Sequence, residues 1–208
     1  MRISKLIIIS ILLLALAPSF VEGPYAFTHN VPFLCQAPFG KWDQPWQDAC
    51  EEAAIVMGMR FADGKQITKE TGSWEMMQLI RYQRKEYGGH NNLTAERTAS
   101  LIKEYYGFPG FEVVYDFGIE DMKQQLSDGK ILLAPAAGRL LGNRYYTQPG
   151  PLYHFLVFTG YDDKKGEFIT NDPGTKRGEG FRYKYERAYN AISDWQTGRK
   201  AMIVIKKL

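Results

Sequence analysis

The sequence predicts an α+β domain, with helices from the amino-terminal half packed against a sheet from the carboxy-terminal half. Three observations carry this. Apolar residues recur at helical period over residues 48–62, 74–87 and 94–106. From Gly110 onward the chain breaks into short β-branched and aromatic runs separated by Gly, Pro and Asp. The two textures follow one another instead of alternating, which favours segregated helices and strands over a parallel, doubly wound sheet.

Before the first helix, residues 1–5 are short and basic, and residues 6–17 form an apolar run broken only by Ser10. This reads as an export signal, residues 1–23, followed by one domain over residues 24–208. The run is shorter than the roughly 20 apolar residues a spanning helix needs, so removal is expected, with an uncleaved N-terminal anchor as the alternative. Contact with a membrane is expected only through that segment. The localisation predicted is secreted or cell-envelope.

The first helix, residues 48–62, carries Ala53, Ala54, Val56, Met57 and Phe61 on one period and stops at Asp63-Gly64. The second, residues 74–87, ends at Gly88-Gly89; the third is capped by Thr94 and ends at Gly107. A short fourth helix covers residues 119–126. Strands are predicted at residues 111–115, 131–136, 153–161, 167–170 and 201–206, with a helix at 186–194 among them. Residues 139–151, rich in Gly, Asn, Tyr, Gln and Pro, read as a loop leading to the His154 strand.

Composition excludes several classes. With 45% hydrophobic, 14% aromatic and 24% charged residues the chain is near the globular average, far from disorder, collagen or a multi-span membrane protein. The formal charge is +3, of which Arg2, Lys5 and Glu22 account for +1, leaving +2, too little to indicate a nucleic-acid partner. The two cysteines and three histidines show no metal-ligand spacing, and no cofactor is implied. An even cysteine count in an exported chain first suggests a Cys35–Cys50 disulfide, but a chain with this apolar content does not need one.

Chemistry concentrates at three places. Asp48-Ala49-Cys50-Glu51 has the pattern of a capping box, which puts Cys50 in the first helical turn, where free N–H groups favour a thiolate. Asp48, Glu51 and Glu52 oppose that charge, so a cationic imidazole is needed beside it. The plain alternative is a small buried hydrophobe. His154 opens an apolar strand in which alternation puts it on one face with Leu156 and Phe158, where a helix packs; a satisfied core histidine is the alternative. Asp172, in Thr170-Asn-Asp-Pro-Gly174, ends the next strand and can orient the imidazole, or form only a turn.

Taken together, Cys at a helix start, His opening a strand and Asp ending the following one resemble the papain-like cysteine peptidases in order and setting. Val31-Pro-Phe-Leu-Cys-Gln36, Asp48-Ala-Cys-Glu-Glu-Ala-Ala54, His154-Phe-Leu-Val-Phe-Thr-Gly-Tyr161 and Asn171-Asp-Pro173 are similar to the group of bacteriocin-processing, double-glycine peptidases and their stand-alone exported relatives. The resemblance covers residues 31–207. It implies a papain-like fold with an antiparallel sheet, and a thiol peptidase acting on a peptide or protein through Cys50, His154 and Asp172. It also implies an oxyanion-hole glutamine: Gln36 by the Val-Pro-x-x-x-Gln pattern, Gln44 by its distance from the cysteine. Many members carry Gly where this chain has Glu51. Trp42, Trp46, Tyr145, Tyr146 and Tyr153 are expected to line a peptide groove or to pack in the core. The rival functions are a non-catalytic peptide- or cell-wall-binding domain of the same fold, and a thiol acyltransferase.

Overall fold

The computed structural model describes residues 25–208, so the predicted leader lies outside the described residues. In chain order come β1 (Ala26–Thr28), α1 (Cys50–Asp63), α2 (Lys69–Glu86), α3 (Ala95–Tyr106), β2 (Phe111–Tyr115), α4 (Ile119–Ser127) and β3 (Ile131–Ala136). They are followed by α5 (Gly138–Leu141), β4 (His154–Asp162), β5 (Glu167–Asn171), β6 (Phe181–Lys184), α6 (Tyr185–Ala191) and β7 (Ala201–Ile205). Among the described residues no helix is long and apolar enough to cross a membrane.

The strands form one seven-stranded sheet in the order β2-β7-β3-β4-β5-β6, with β1 on the edge of β4 beyond the end of β3. Every pairing is antiparallel. β1 approaches so closely that a Cβ on Gly160 would lie 2.1 Å from the Phe27 carbonyl oxygen, which only glycine avoids.

The N-terminal helices pack on the sheet as the sequence predicts, and the two helices α4 and α6 among the strands cover its other face. Ile131, Leu133, Phe155, Val157, Ile203 and Ile205 pack under α1, α2 and α3. Their neighbours Leu132, Leu156, Phe158, Met202 and Val204 pack under α4 and α6. Alternation therefore sends both parities of β3, β4 and β7 into a core, so these strands read as continuous apolar runs. Each fully buried aromatic, such as Phe155 or Phe158, contributes about 1.5–3 kcal/mol by leaving water.

One boundary and one strand differ from expectation for identifiable reasons. α2 starts at Lys69, ahead of the first apolar residue used to place it, because Thr68 caps it: the Thr68 hydroxyl accepts from Thr71 N–H at 3.1 Å, and Thr71 Oγ1 accepts from Thr68 N–H at 3.0 Å. Trp74, read as the helix's first apolar residue, is 65% exposed. β6 alternates Phe-Arg-Tyr-Lys and is held at the sheet edge by Arg182 to Asp162 (3.0 Å) and Lys184 to Glu167 (3.0 Å).

Candidate active site

The chain enters α1 through a 3-10 turn at Trp46–Asp48, and Ala49 occupies the cap position without a side-chain bond. This corrects the capping box. Asp48 lies one residue too early, inside the turn, and its carboxylate takes the Gln44 amide at 2.5 Å. Glu51 falls on the buried side of the helix, 2% exposed, so its carboxylate cannot reach back to the cap. Oε1 accepts the Leu93 N–H at 3.0 Å, and Oε2 accepts the Cys50 S–H at 2.9 Å.

Cys50 is the first residue of α1 and so lies in its first turn, but the thiol is not depressed. Burial pushes its pKa well above the ordinary thiol value, the charge and hydrogen bond of Glu51 and the charge of Glu52 add to this, and only the Phe155 N–H facing the sulfur opposes them. Helix-start stabilisation, worth about 0.3–1 kcal/mol near a surface, is the smaller effect here. These effects together favour the neutral thiol over the thiolate. Cys35 is also buried and free, with no disulfide between the two.

His154 opens β4 and is 2% exposed. Its Nε2 meets Asp172 Oδ1 at 2.8 Å, which leaves Nδ1 as the other ring nitrogen. The ring stacks edge-on to Tyr146, with centroids 5.4 Å apart. Leu156 and Phe158 face α4 and α6, whereas α1 packs on the opposite side of the sheet, against Phe155 and Val157. Cys50 and His154 nevertheless meet at one cavity, because each begins its element at the same end of the sheet.

Asp172 is fully buried and receives five donors. Gly174 N–H (2.9 Å) joins His154 on Oδ1, while Asn143 Nδ2 (2.9 Å), Tyr146 OH (2.6 Å) and Tyr183 OH (2.5 Å) converge on Oδ2. Burial alone raises its pKa; the His154 imidazole and these hydrogen bonds outweigh burial and hold it below the usual carboxylate value. Gly178 makes the turn possible. A Cβ there would lie 1.8 Å from the Asp172 carbonyl oxygen.

A cavity of about 870 Å³ opens over Cys50 and His154, lined also by Gln36, Trp42, Tyr145 and Tyr153. Trp46 instead packs against the core. Gln36 is buried and donates both amide hydrogens, to the carbonyls of Trp46 (3.0 Å) and Gln47 (2.9 Å), while its Oε1 has no partner. Gln44 does not line the cavity. The other histidines serve elsewhere: His29 bonds the Leu126 carbonyl at 2.8 Å and His90 meets Glu52 at 3.2 Å.

Sequence reasoning did not find Asn143, Tyr183 or the inward turn of Glu51. Asn143 and Tyr146 lie in the segment read as a loop, and Tyr183 on an unexpected strand, so only the Asn- and Tyr-rich composition of that loop hinted at a polar role.

The model of the Peptidase_C39 like family matches residues 28–202. A solved structure described as a C39-like peptidase from Bacillus anthracis is 18% identical, superposes with a TM-score of 0.59, and aligns over 88% of this chain and 98% of its own. Xylellain, a cysteine protease from Xylella fastidiosa, is 16% identical with a TM-score of 0.45, over 90% of this chain and 87% of its own. No curated protein matches the chain.

Proposed function

Because the chain belongs to the Peptidase_C39 like family of cysteine peptidases, we propose that it is an exported thiol peptidase hydrolysing a peptide bond through Cys50, His154 and Asp172. The observation that carries the reading is the shared cavity: a helix-opening thiol and an imidazole whose far nitrogen is held by a buried carboxylate line one space of about 870 Å³. Export rests on the basic, then apolar, amino-terminal run.

With Nε2 held by Asp172, Nδ1 is the ring nitrogen left to take the thiol's proton. The resting sulfur is neutral, so the reaction starts by general-base catalysis: the S–H bond breaks as its proton passes to Nδ1, and the sulfur attacks the peptide carbonyl. The tetrahedral oxyanion is received by the N–H groups at the opening of α1 and by the Gln36 amide, which gives up one of its two carbonyl bonds to do so. Gln36 is favoured over Gln44 because it is buried in the cavity wall. The imidazolium returns the proton to the leaving amine, and water then hydrolyses the thioester. Asp172 keeps the ring oriented and stabilises its cationic form throughout.

The test is a mixture of defined peptides incubated with the full chain in water enriched in heavy oxygen. New carboxyl termini carrying the heavy oxygen, absent with Cys50→Ala, support hydrolysis. Exclusive capture of an added amine identifies acyl transfer, and no turnover of any peptide leaves the binding-domain reading.

A further inference from the structure

Two adjacent carboxylates, Glu51 and Glu52, lie 2% and 1% exposed behind the nucleophile, and the reaction as derived uses neither. Glu52 has an evident structural role, since its Oε1 takes His90 Nε2 at 3.2 Å and the Gln83 amide. Glu51 differs, because its Oε2 touches the reacting atom itself, 2.9 Å from Cys50 Sγ, while Oε1 is pinned by the Leu93 N–H at 3.0 Å. A carboxylate fixed at one oxygen and facing a thiol with the other is an acceptor aimed at the S–H hydrogen.

We propose that Glu51 is a brake on the nucleophile: its carboxylate holds the Cys50 hydrogen on sulfur, so the peptidase rests latent until the proton passes to His154. This rests on the reading of Cys50 and His154 as the reacting pair. Releasing the brake breaks the S–H···Oε2 hydrogen bond and then the S–H bond; the proton goes to Nδ1, leaving thiolate and imidazolium with charge conserved. A carboxylate at this distance opposes thiolate formation by like charge and by the lost hydrogen bond.

The brake has a pH sense. Burial, then the charge of Glu52, raises the Glu51 carboxyl to about 7, so it is charged and holds the thiol above that value and takes up a proton below it. The other groups facing it are Cys50 and Glu52 on α1, His90 and the Leu93 N–H from the segment before α3, and Tyr153 before β4. Tyr153 hydroxyl donates to the Leu93 carbonyl and stays neutral, with burial and the charge of Glu51 raising its pKa. His90 has its pKa raised by Glu52 and Glu51 against burial, and so offsets part of their charge.

The experiment is the pH profile of Cys50 alkylation by iodoacetamide, resolved by peptide mass, in wild type, Glu51→Gln and His154→Ala. Glu51→Gln keeps the volume and an oxygen for the Leu93 N–H but offers the sulfur a donor. Its midpoint should fall by a pH unit or more, with alkylation about tenfold faster between about pH 7, where Glu51 becomes charged, and the wild-type midpoint, since rate follows the thiolate fraction. A folded Glu51→Gln whose midpoint matches wild type overturns the proposal. If His154→Ala alone changes the profile, the brake fails and the reading of the site survives; if neither does, that reading fails as well. Should Glu51→Gln not fold, the infrared S–H stretch in the difference between wild type and Cys50→Ala decides. A band at neutral pH, displaced to low frequency by the carboxylate, supports the brake, and no S–H band overturns it.

Discussion

Asp172→Asn should cost about 3 kcal/mol of stability near neutral pH, and the cost should shrink in acid. Three donors converge on Oδ2, from Asn143, Tyr146 and Tyr183, and the substitution puts an NH2 group there. The two hydroxyls can turn to accept; the Asn143 amide cannot, and a buried donor left without a partner costs about 1–3 kcal/mol. The His154 and Gly174 bonds to Oδ1 survive but lose their charge assistance, roughly half of their strength. The pH dependence has a definite sign. The Asp172 pKa lies below its ordinary value of 3.8, so its stabilisation is present in full above 3.8 and is lost as pH falls through the folded-state value. Asparagine does not titrate, and carboxylates common to both chains cancel. Denaturant unfolding of the two proteins from neutral pH into acid should therefore show a gap that narrows below 3.8. A gap that does not change with pH, or one under about 1 kcal/mol at neutrality, would refute the reasoning.

Other perturbations separate the remaining elements. Gly178→Ala forces a Cβ to within 1.8 Å of the Asp172 carbonyl oxygen, so it should lower the melting temperature and slow Cys50 alkylation together; a stable variant with normal alkylation would show that the turn yields without moving Asp172. Gln36→Ala should lower kcat on a cleaved peptide by about 10²–10³, the usual cost of one oxyanion donor, whereas Gln44→Ala, on the exposed turn, should leave it unchanged; the reverse pattern would move the oxyanion role to Gln44. The Glu51 carboxyl, raised from 4.5 to about 7, favours the folded state below 4.5, and that advantage is lost as pH rises to 7. Chemical denaturation should accordingly show Glu51→Gln gaining on wild type across that interval by about 1.4 kcal/mol for each pH unit crossed, and flat parallel curves would contradict it.

What the sequence made legible was whatever local pattern decides. Thr94 before an apolar period announced α3, and the hydroxyl does accept the Arg97 N–H at 3.1 Å. The stop of α1 at Asp63-Gly64 and the apolar run Phe155-Leu-Val-Phe158 behind His154 were likewise local signals. Long-range contacts were not legible. Helices on both faces of the sheet follow from α4 and α6 crossing over, which no window of residues reports. The donors to Asp172 come from a loop and from β6, and Asp48 fails as a cap because a 3-10 turn, set by residues before it, changes the approach to α1. Glu51 was the subtlest: its charge was visible, but its inward direction depends on which side of α1 the sheet covers.

The central claim is that His154 draws the proton from Cys50, and the rate of Cys50 alkylation near neutral pH in wild type and His154→Ala measures it most directly. General-base assistance of the usual size predicts a fall of about 10²-fold or more in the variant, with Cys35 unaffected. Equal rates at Cys50 in two folded proteins would contradict the account.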